Sequence, residues 1–248
     1  MRGIFLTLLF VVNTVWAKED PTLLVYNTTT NQIVVSQNAD TQRPMASITK
    51  LVTAMVALDN YKLSDRVKTG KHTSTTVENL LIRLLVRSDN GASEILARHH
   101  KGGREEFLSL MNTKARSTGA FQTKFYDPSG LISTNVATAQ DLVKIVTRAG
   151  TYEFIQQVTS KAEIKTSTKI KNKLKTITLP NTNHKLLNEY HNILVSKTGY
   201  TSRAGRCLAL LIENNGEKYV IIILGERTSF ERERTARDAI NIIPAAKI

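Results

Sequence analysis

The stretch Pro44-Met45-Ala46-Ser47-Ile48-Thr49-Lys50-Leu51-Val52-Thr53-Ala54-Met55-Val56-Ala57-Leu58 decides how this chain is read. Apolar residues at 48, 51, 52, 55 and 56 recur at helical spacing, and Ala54 and Ala57 fill much of the remaining circumference. The spacing predicts a helix over 48–58, with an apolar face wide enough to bury it centrally. Its first turn nevertheless carries Ser47 and Lys50, three residues apart and so on one face. A serine hydroxyl is a poor nucleophile unless something takes its proton. A lysine set in an apolar wall can lose its own proton near neutral pH. Ser47 at the helix start also meets unpaired N–H groups that favour a developing negative charge. The pair reads as nucleophile and general base.

Working outward, Ser88-Asp89-Asn90 and Lys197-Thr198-Gly199 follow in order. With Ser47-Ile48-Thr49-Lys50 they make the S-x-x-K, S-D-N, K-T-G set of serine enzymes that form acyl intermediates. Ser88 is placed to relay a proton toward a leaving group, and Asn90 to hydrogen-bond Lys50 and a substrate amide; Asp89 receives no catalytic role. Lys197 offers a cation and Thr198 a hydroxyl to a carboxylate. Gly199 leaves the backbone bare for a substrate to pair alongside. The N–H groups of Ser47 and Tyr200 would form the oxyanion hole. The decoys Lys68-Thr69-Gly70 and Ser36-Gln37-Asn38 both lie at the wrong point in the order.

The rest of the chain supplies a frame. Leu23–Tyr26 and Ile33–Ser36 read as a hairpin. Val77–Arg87, Ala92–His100 and Phe107–Thr118 read as helices, and Thr138-Ala139-Gln140-Asp141 as a helix start. Cys207–Ile212 and Tyr219–Leu224 flank Asn214-Asn215-Gly216, a strong hairpin turn, and Phe230–Ile243 closes as a helix. Strands at both chain ends around a helical middle fit an α/β (α+β) fold, one sheet with an inserted helical lobe.

Residues 1–17 read as a secretory signal: Arg2, an apolar run, then Val15-Trp16-Ala17 before the cleavage point. The mature domain would span 18–248, outside the cytoplasm. The single cysteine, Cys207, permits no internal disulfide and reads as a buried inert thiol. The formal net charge of +13 suits polyanionic partners. Lys161, Lys165, Lys169, Lys171, Lys173 and Lys175, opposed by Glu163 alone, lack the aromatics that would stack nucleic-acid bases. Nucleic acid is therefore set aside in favour of anionic envelope surfaces. His99 and His100 read as surface residues, and the histidines are too scattered for a zinc site. No metal or cofactor is expected.

On these motifs, and on Pro44–Leu51, Asp127-Pro128-Ser129-Gly130-Leu131 and Thr138–Leu142, the chain resembles the low-molecular-mass penicillin-binding proteins. These are the D-alanyl-D-alanine carboxypeptidases and endopeptidases, serine peptidases of peptidoglycan. The resemblance implies the fold shared with serine β-lactamases: an antiparallel sheet flanked by helices (about 22–65 and 150–248) with an inserted helical subdomain (about 66–149). It implies Ser47 as the acylated serine, Lys50 as base, Ser88 and Asn90 as the relay loop, and Lys197, Thr198, Gly199 and Tyr200 as the substrate-binding strand. Peptidoglycan peptides would be substrates, β-lactam antibiotics covalent inhibitors, and the periplasm the location. Asn181-Thr182-Asn183-His184, Ser196–Thr201 and Ala204–Leu208 are similar to the endopeptidase subgroup, which cuts D-alanyl-diaminopimelyl cross-links. The eight residues 241–248 are too few for the C-terminal domain and membrane anchor usual in carboxypeptidases. The alternatives are a carboxypeptidase, a β-lactamase and a non-catalytic peptidoglycan-binding scaffold. A class A β-lactamase needs a deacylating glutamate between S-D-N and K-T-G; the closest candidate, Glu105–Ser109, stands too near Asn90. The two lysines would give a bell-shaped rate profile, with Lys50 neutral and Lys197 cationic.

Overall fold

Residues 20–71, 73–170 and 173–243 are described by the computed structural model, so the signal segment 1–17 lies outside the described residues. Strands β1 (Thr22–Asn27) and β2 (Gln32–Gln37) form the first hairpin. The two-residue β3 (Arg43–Pro44) leads through one 3-10 turn, Ala46–Thr49, into α1 (Lys50–Asn60). A polar hairpin of β4 (Arg66–Gly70) and β5 (Thr73–Thr76) precedes α2 (Val77–Val86), α3 (Asn90–His99) and α4 (Gly103–Ser117). Strand β6 (Val136–Ala137) pairs with β3, and α5 (Ala139–Ala149) and α6 (Glu153–Thr159) follow. A third hairpin, β7 (Glu163–Ile170) and β8 (Lys173–Pro180), leads to α7 (His184–Glu189). Three long strands, β9 (Ile193–Thr201), β10 (Gly205–Asn214) and β11 (Glu217–Glu226), end in α8 (Ser229–Asn241).

The main sheet is antiparallel throughout, in the order β2-β1-β11-β10-β9. Strand alternation explains the unbroken apolar runs of its centre. Val220, Ile222 and Leu224 of β11 join the core that holds α1 and α5, while Tyr219, Ile221 and Ile223 join the core under α8. Helices thus cover both faces, so both residue parities must be apolar. The turn between β10 and β11 has Asn215 at φ 56 and Gly216 at φ 77, the left-handed pair that a tight hairpin requires. The order leaves β9, which carries Lys197-Thr198-Gly199, as an edge strand packed against the 3-10 turn Ala46–Thr49 and α6.

Several boundaries differ from the sequence reading, each for a local reason. Helix α1 starts at Lys50 because Ala46–Thr49 is wound as a 3-10 turn. Helix α3 starts at Asn90 because the Asp89 side chain accepts from Ala92 N–H and caps it. Thr138 caps α5 as expected, accepting from Asp141 N–H. The sequence reading did not resolve the β4–β5 hairpin, α6 or α7, which are short, and the first largely polar. Lys68-Thr69-Gly70 lies on that exposed hairpin and lines no part of the cleft described below. His100 corrects the surface reading: it is buried, its ring against Phe107 and Tyr61, while His99 stays exposed. Cys207 is buried, and burial pushes its thiol up to about 11.

Candidate active site

The backbone that presents Ser47 is under local constraint. Ala46 adopts φ 47, a left-handed value that costs a residue with a Cβ free energy. It is held by Gly130, whose own φ is 81 and whose added Cβ would fall 1.9 Å from the Ala46 carbonyl oxygen. Gly130 belongs to a turn tied by Asp127. Its carboxylate accepts from the N–H groups of Ser129, Gly130 and Leu131 and from the Ser129 hydroxyl. Asn135 braces the same turn, donating to the Asp127 carbonyl and to the Thr49 hydroxyl.

Lys50 is fully buried, and its Nζ donates to three oxygens: Ser47 Oγ at 2.9 Å, Asn90 Oδ1 at 2.7 Å and the Ser129 carbonyl at 2.6 Å. An ammonium has three donors, and all three are used. A neutral amine would keep two and turn its lone pair to the Ser47 hydroxyl, the polarity general-base catalysis needs. Burial brings its pKa down to about 8, against the opposing pull of the Asp127 and Asp89 carboxylates.

Ser88 adopts φ 59 between α2 and α3, where the Asp89 cap and the Arg83–Asp89 ion pair fix the bend. Its Oγ accepts from Lys197 Nζ at 3.0 Å; that amine also donates to the Thr198 carbonyl at 2.9 Å. Lys197 is 1% exposed, and its pKa too is lowered well below the usual lysine value. Burial is the main cause, followed by repulsion from Lys50 and Arg232. The sequence expectation gave Lys197 a carboxylate to bind. Here it sits behind the cleft against Ser88, and the cations that line the cleft are Arg87, Lys185, Arg206 and Arg232.

The strand completes the site. Gly199 packs against the nucleophile's turn so closely that an added Cβ would stand 3.0 Å from Ser47 N. Thr198 Oγ1 donates to Thr182 Oγ1 at 2.7 Å, so two hydroxyls sit side by side at the cleft wall. Thr182 is held by its N–H on the Val86 carbonyl, and Asn183 bonds Ser196 Oγ at 2.9 Å, which pins this loop to both α2 and β9. Tyr200 is 52% exposed at the lip. The cleft has a volume of about 630 Å³ and is walled by Ser47, Ser88, Asn90, Thr182, Thr198, Gly199 and Tyr200; its one lining carboxylate is Glu233.

The structure therefore brings all eight candidate residues together, with Lys50 and Lys197 buried behind the wall. Sequence reasoning missed the Ser129 carbonyl, Thr182, Arg206 and Arg232. The Asp127-Pro128-Ser129-Gly130 turn signal pointed near the first, and the resemblance segments Asn181–His184 and Ala204–Leu208 contained Thr182 and Arg206 without giving them a role; Arg232 is brought to the cleft by tertiary contacts alone. Among the described residues no three His, Cys, Asp or Glu side chains are grouped to hold a metal ion.

An edge strand, a serine on a constrained turn and a charge-depressed lysine bonded to it define a serine hydrolase that works through an acyl intermediate. Comparison with known proteins narrows the class. Residues 15–77 and 63–228 match the profile of peptidase family S11, D-alanyl-D-alanine carboxypeptidase. The chain is 31% identical over 243 residues to the D-alanyl-D-alanine endopeptidase of Escherichia coli, across 89% of this chain and 78% of that protein. A Streptomyces DD-transpeptidase superposes with TM-score 0.82 at 27% identity, over 89% of this chain and 95% of that one. A penicillin-binding protein of Listeria monocytogenes in its ampicillin-bound form gives 0.80 at 25% identity, over 89% and 95%. The chain belongs to peptidase family S11 and is a serine-type D-alanyl-D-alanine peptidase, a hydrolase.

Proposed function

We propose that the chain cleaves D-alanyl cross-links between peptidoglycan stem peptides, acting as a D,D-endopeptidase. The observation that carries the chemistry is the 2.9 Å contact between Lys50 Nζ and Ser47 Oγ. Neutral Lys50 takes the Ser47 proton as Oγ attacks the D-alanyl carbonyl carbon. The oxyanion forms against the N–H groups of Ser47 and Tyr200, donors worth roughly 10²–10³ in rate. The C–N bond then breaks, and the proton that Lys50 took from Ser47 passes through Ser88, which Lys197 holds in place, to the departing amine, leaving Lys50 neutral again. Water hydrolyses the resulting ester and returns Ser47. Asn90 has Oδ1 committed to Lys50, which leaves its amide N–H₂ for the substrate carbonyl. The carboxylate beside the scissile amide is received by the Thr198 and Thr182 hydroxyls, with the Arg232 charge behind them.

Similarity to endopeptidases supports the preference for cross-links over terminal D-alanine. β-Lactams would acylate Ser47 as substrate mimics. Their ester would persist, because no glutamate–x–x–leucine–asparagine motif lies between Asn90 and Lys197. The signal-like residues 1–17 and the cell-wall chemistry of the family support a periplasmic location. Among the described residues no helix is long and apolar enough to cross a membrane. Lys161, Lys165 and Lys175, exposed on and beside the β7–β8 hairpin, suit contact with anionic envelope surfaces.

The test is digestion of purified cross-linked muropeptide dimer beside uncross-linked pentapeptide, read by mass spectrometry. Conversion of dimer to monomers supports the endopeptidase. Release of D-alanine from pentapeptide with the dimer left intact would make the chain a carboxypeptidase.

A further inference from the structure

Ser196, Thr198 and Tyr200 share one face of β9 by strand alternation. Bonds from Ser196 to Asn183 and from Thr198 to Thr182 turn that face toward α7. Arg206 of β10 is paired with Tyr200 across the ladder, so it stands on the same face. Its guanidinium lies 3.8 Å from the centre of the Tyr200 ring, and both side chains line the cleft beyond Thr198.

The electrostatics of Arg206 are unbalanced. Among the described residues its side chain has no hydrogen bond and no carboxylate in ion-pair range, and its Nε is buried without a partner. Its neighbour Arg232 repels it, and Arg232 has only a 3.6 Å contact with Glu233 to offset that. Two guanidiniums line one wall, and its one carboxylate, Glu233, contacts Arg232 and Lys185 but not Arg206, which leaves the site short of an anion. Ring stacking holds a guanidinium flat while leaving its N–H edge open, the geometry that receives a carboxylate or an amide carbonyl.

The position identifies what would arrive. The carboxylate next to the scissile amide is accounted for by Thr198 and Thr182. Whatever continues from that leaving residue must run over the face that carries Tyr200 and Arg206. In uncross-linked pentapeptide the leaving residue is D-alanine, whose methyl group stops short. In a cross-link its side chain continues to a second stem peptide, which brings further amide carbonyls and carboxylates.

We propose that Arg206, held by Tyr200, is a specificity-determining residue that binds an anionic or carbonyl group of the leaving stem peptide and so favours cross-linked over terminal substrate. This rests on the endopeptidase reading above. The experiment measures kcat/KM of the full chain on cross-linked muropeptide dimer and on pentapeptide, for wild type, R206Q and R206K. One-to-one labelling by benzylpenicillin serves as the check that each variant is folded. The dimer-to-pentapeptide ratio is expected to fall about tenfold or more in R206Q, as loss of a charge-assisted hydrogen bond predicts, and to recover in part in R206K. Equal losses on both substrates, or a ratio at the wild-type value, would overturn the proposal while leaving the endopeptidase reading intact. Failure of the wild type itself to cut the dimer would overturn both, and is distinguishable because it needs no variant.

Discussion

Three acceptors surround the Lys50 amine, and one of them is the hydroxyl it has to deprotonate. With its pKa brought down to about 8, the neutral base is populated progressively as pH rises through that value. Acylation by benzylpenicillin is therefore predicted to speed up between pH 7 and about 9 and then level off. Lys197 is also lowered well below the usual lysine range, by burial first and then by repulsion from Lys50 and Arg232. A rate that falls over the same interval would contradict these assignments. The stability sign follows from the same shift. The unfolded lysine binds protons up to its value of 10.5, so the cost of burying Lys50 is full below about pH 8 and fades toward 10.5. Gly130 gives a second prediction. Gly130→Ala meets both a left-handed φ and the Ala46 carbonyl, and is expected to cost about 2–4 kcal/mol by urea unfolding. A loss under about 0.5 kcal/mol would show that the Ala46 turn does not depend on it.

At the scale of elements, the α2–α3 bend couples capping to catalysis. Asp89 caps α3, pairs with Arg83 and lends negative charge that favours protonated Lys50. Asp89→Asn keeps a capping oxygen and removes the charge. Its pH–acylation curve is predicted to shift to lower pH than wild type; an unshifted or raised midpoint would remove Asp89 from the electrostatics of the base. Thr138→Ala, at the start of α5, is expected to cost about 1 kcal/mol in chemical denaturation. Elements with a full apolar period were legible in the sequence: α1, β10, β11 and the capped α5. Helices α6 and α7 were not, because six or seven residues carry too little periodicity to separate them from loops. The site divides in the same way. Ser47, Lys50, Ser88, Asn90 and the β9 residues stood out as local motifs. Thr182 and Arg232 reach the cleft only through packing, and the inward turn of Lys197 toward Ser88 is set by burial that no local pattern records.

Across the whole molecule, a formal charge of +13 faces a substrate polymer that carries carboxylates. Long-range attraction of that kind is screened over about 8 Å at physiological ionic strength. Cosedimentation with purified sacculi is predicted to weaken steeply as salt is raised above that level, while benzylpenicillin acylation, set by buried groups, changes much less. Parallel loss of both would place the salt sensitivity in the active site instead. The most direct test of the central claim is intact-mass spectrometry of the wild type and Ser47→Ala, followed over time with excess benzylpenicillin. One long-lived adduct of the whole drug on the wild type, and none on Ser47→Ala, is the predicted result. An adduct that survives the substitution, or drug consumed without a lasting adduct, would contradict a penicillin-recognising peptidase that acts through Ser47.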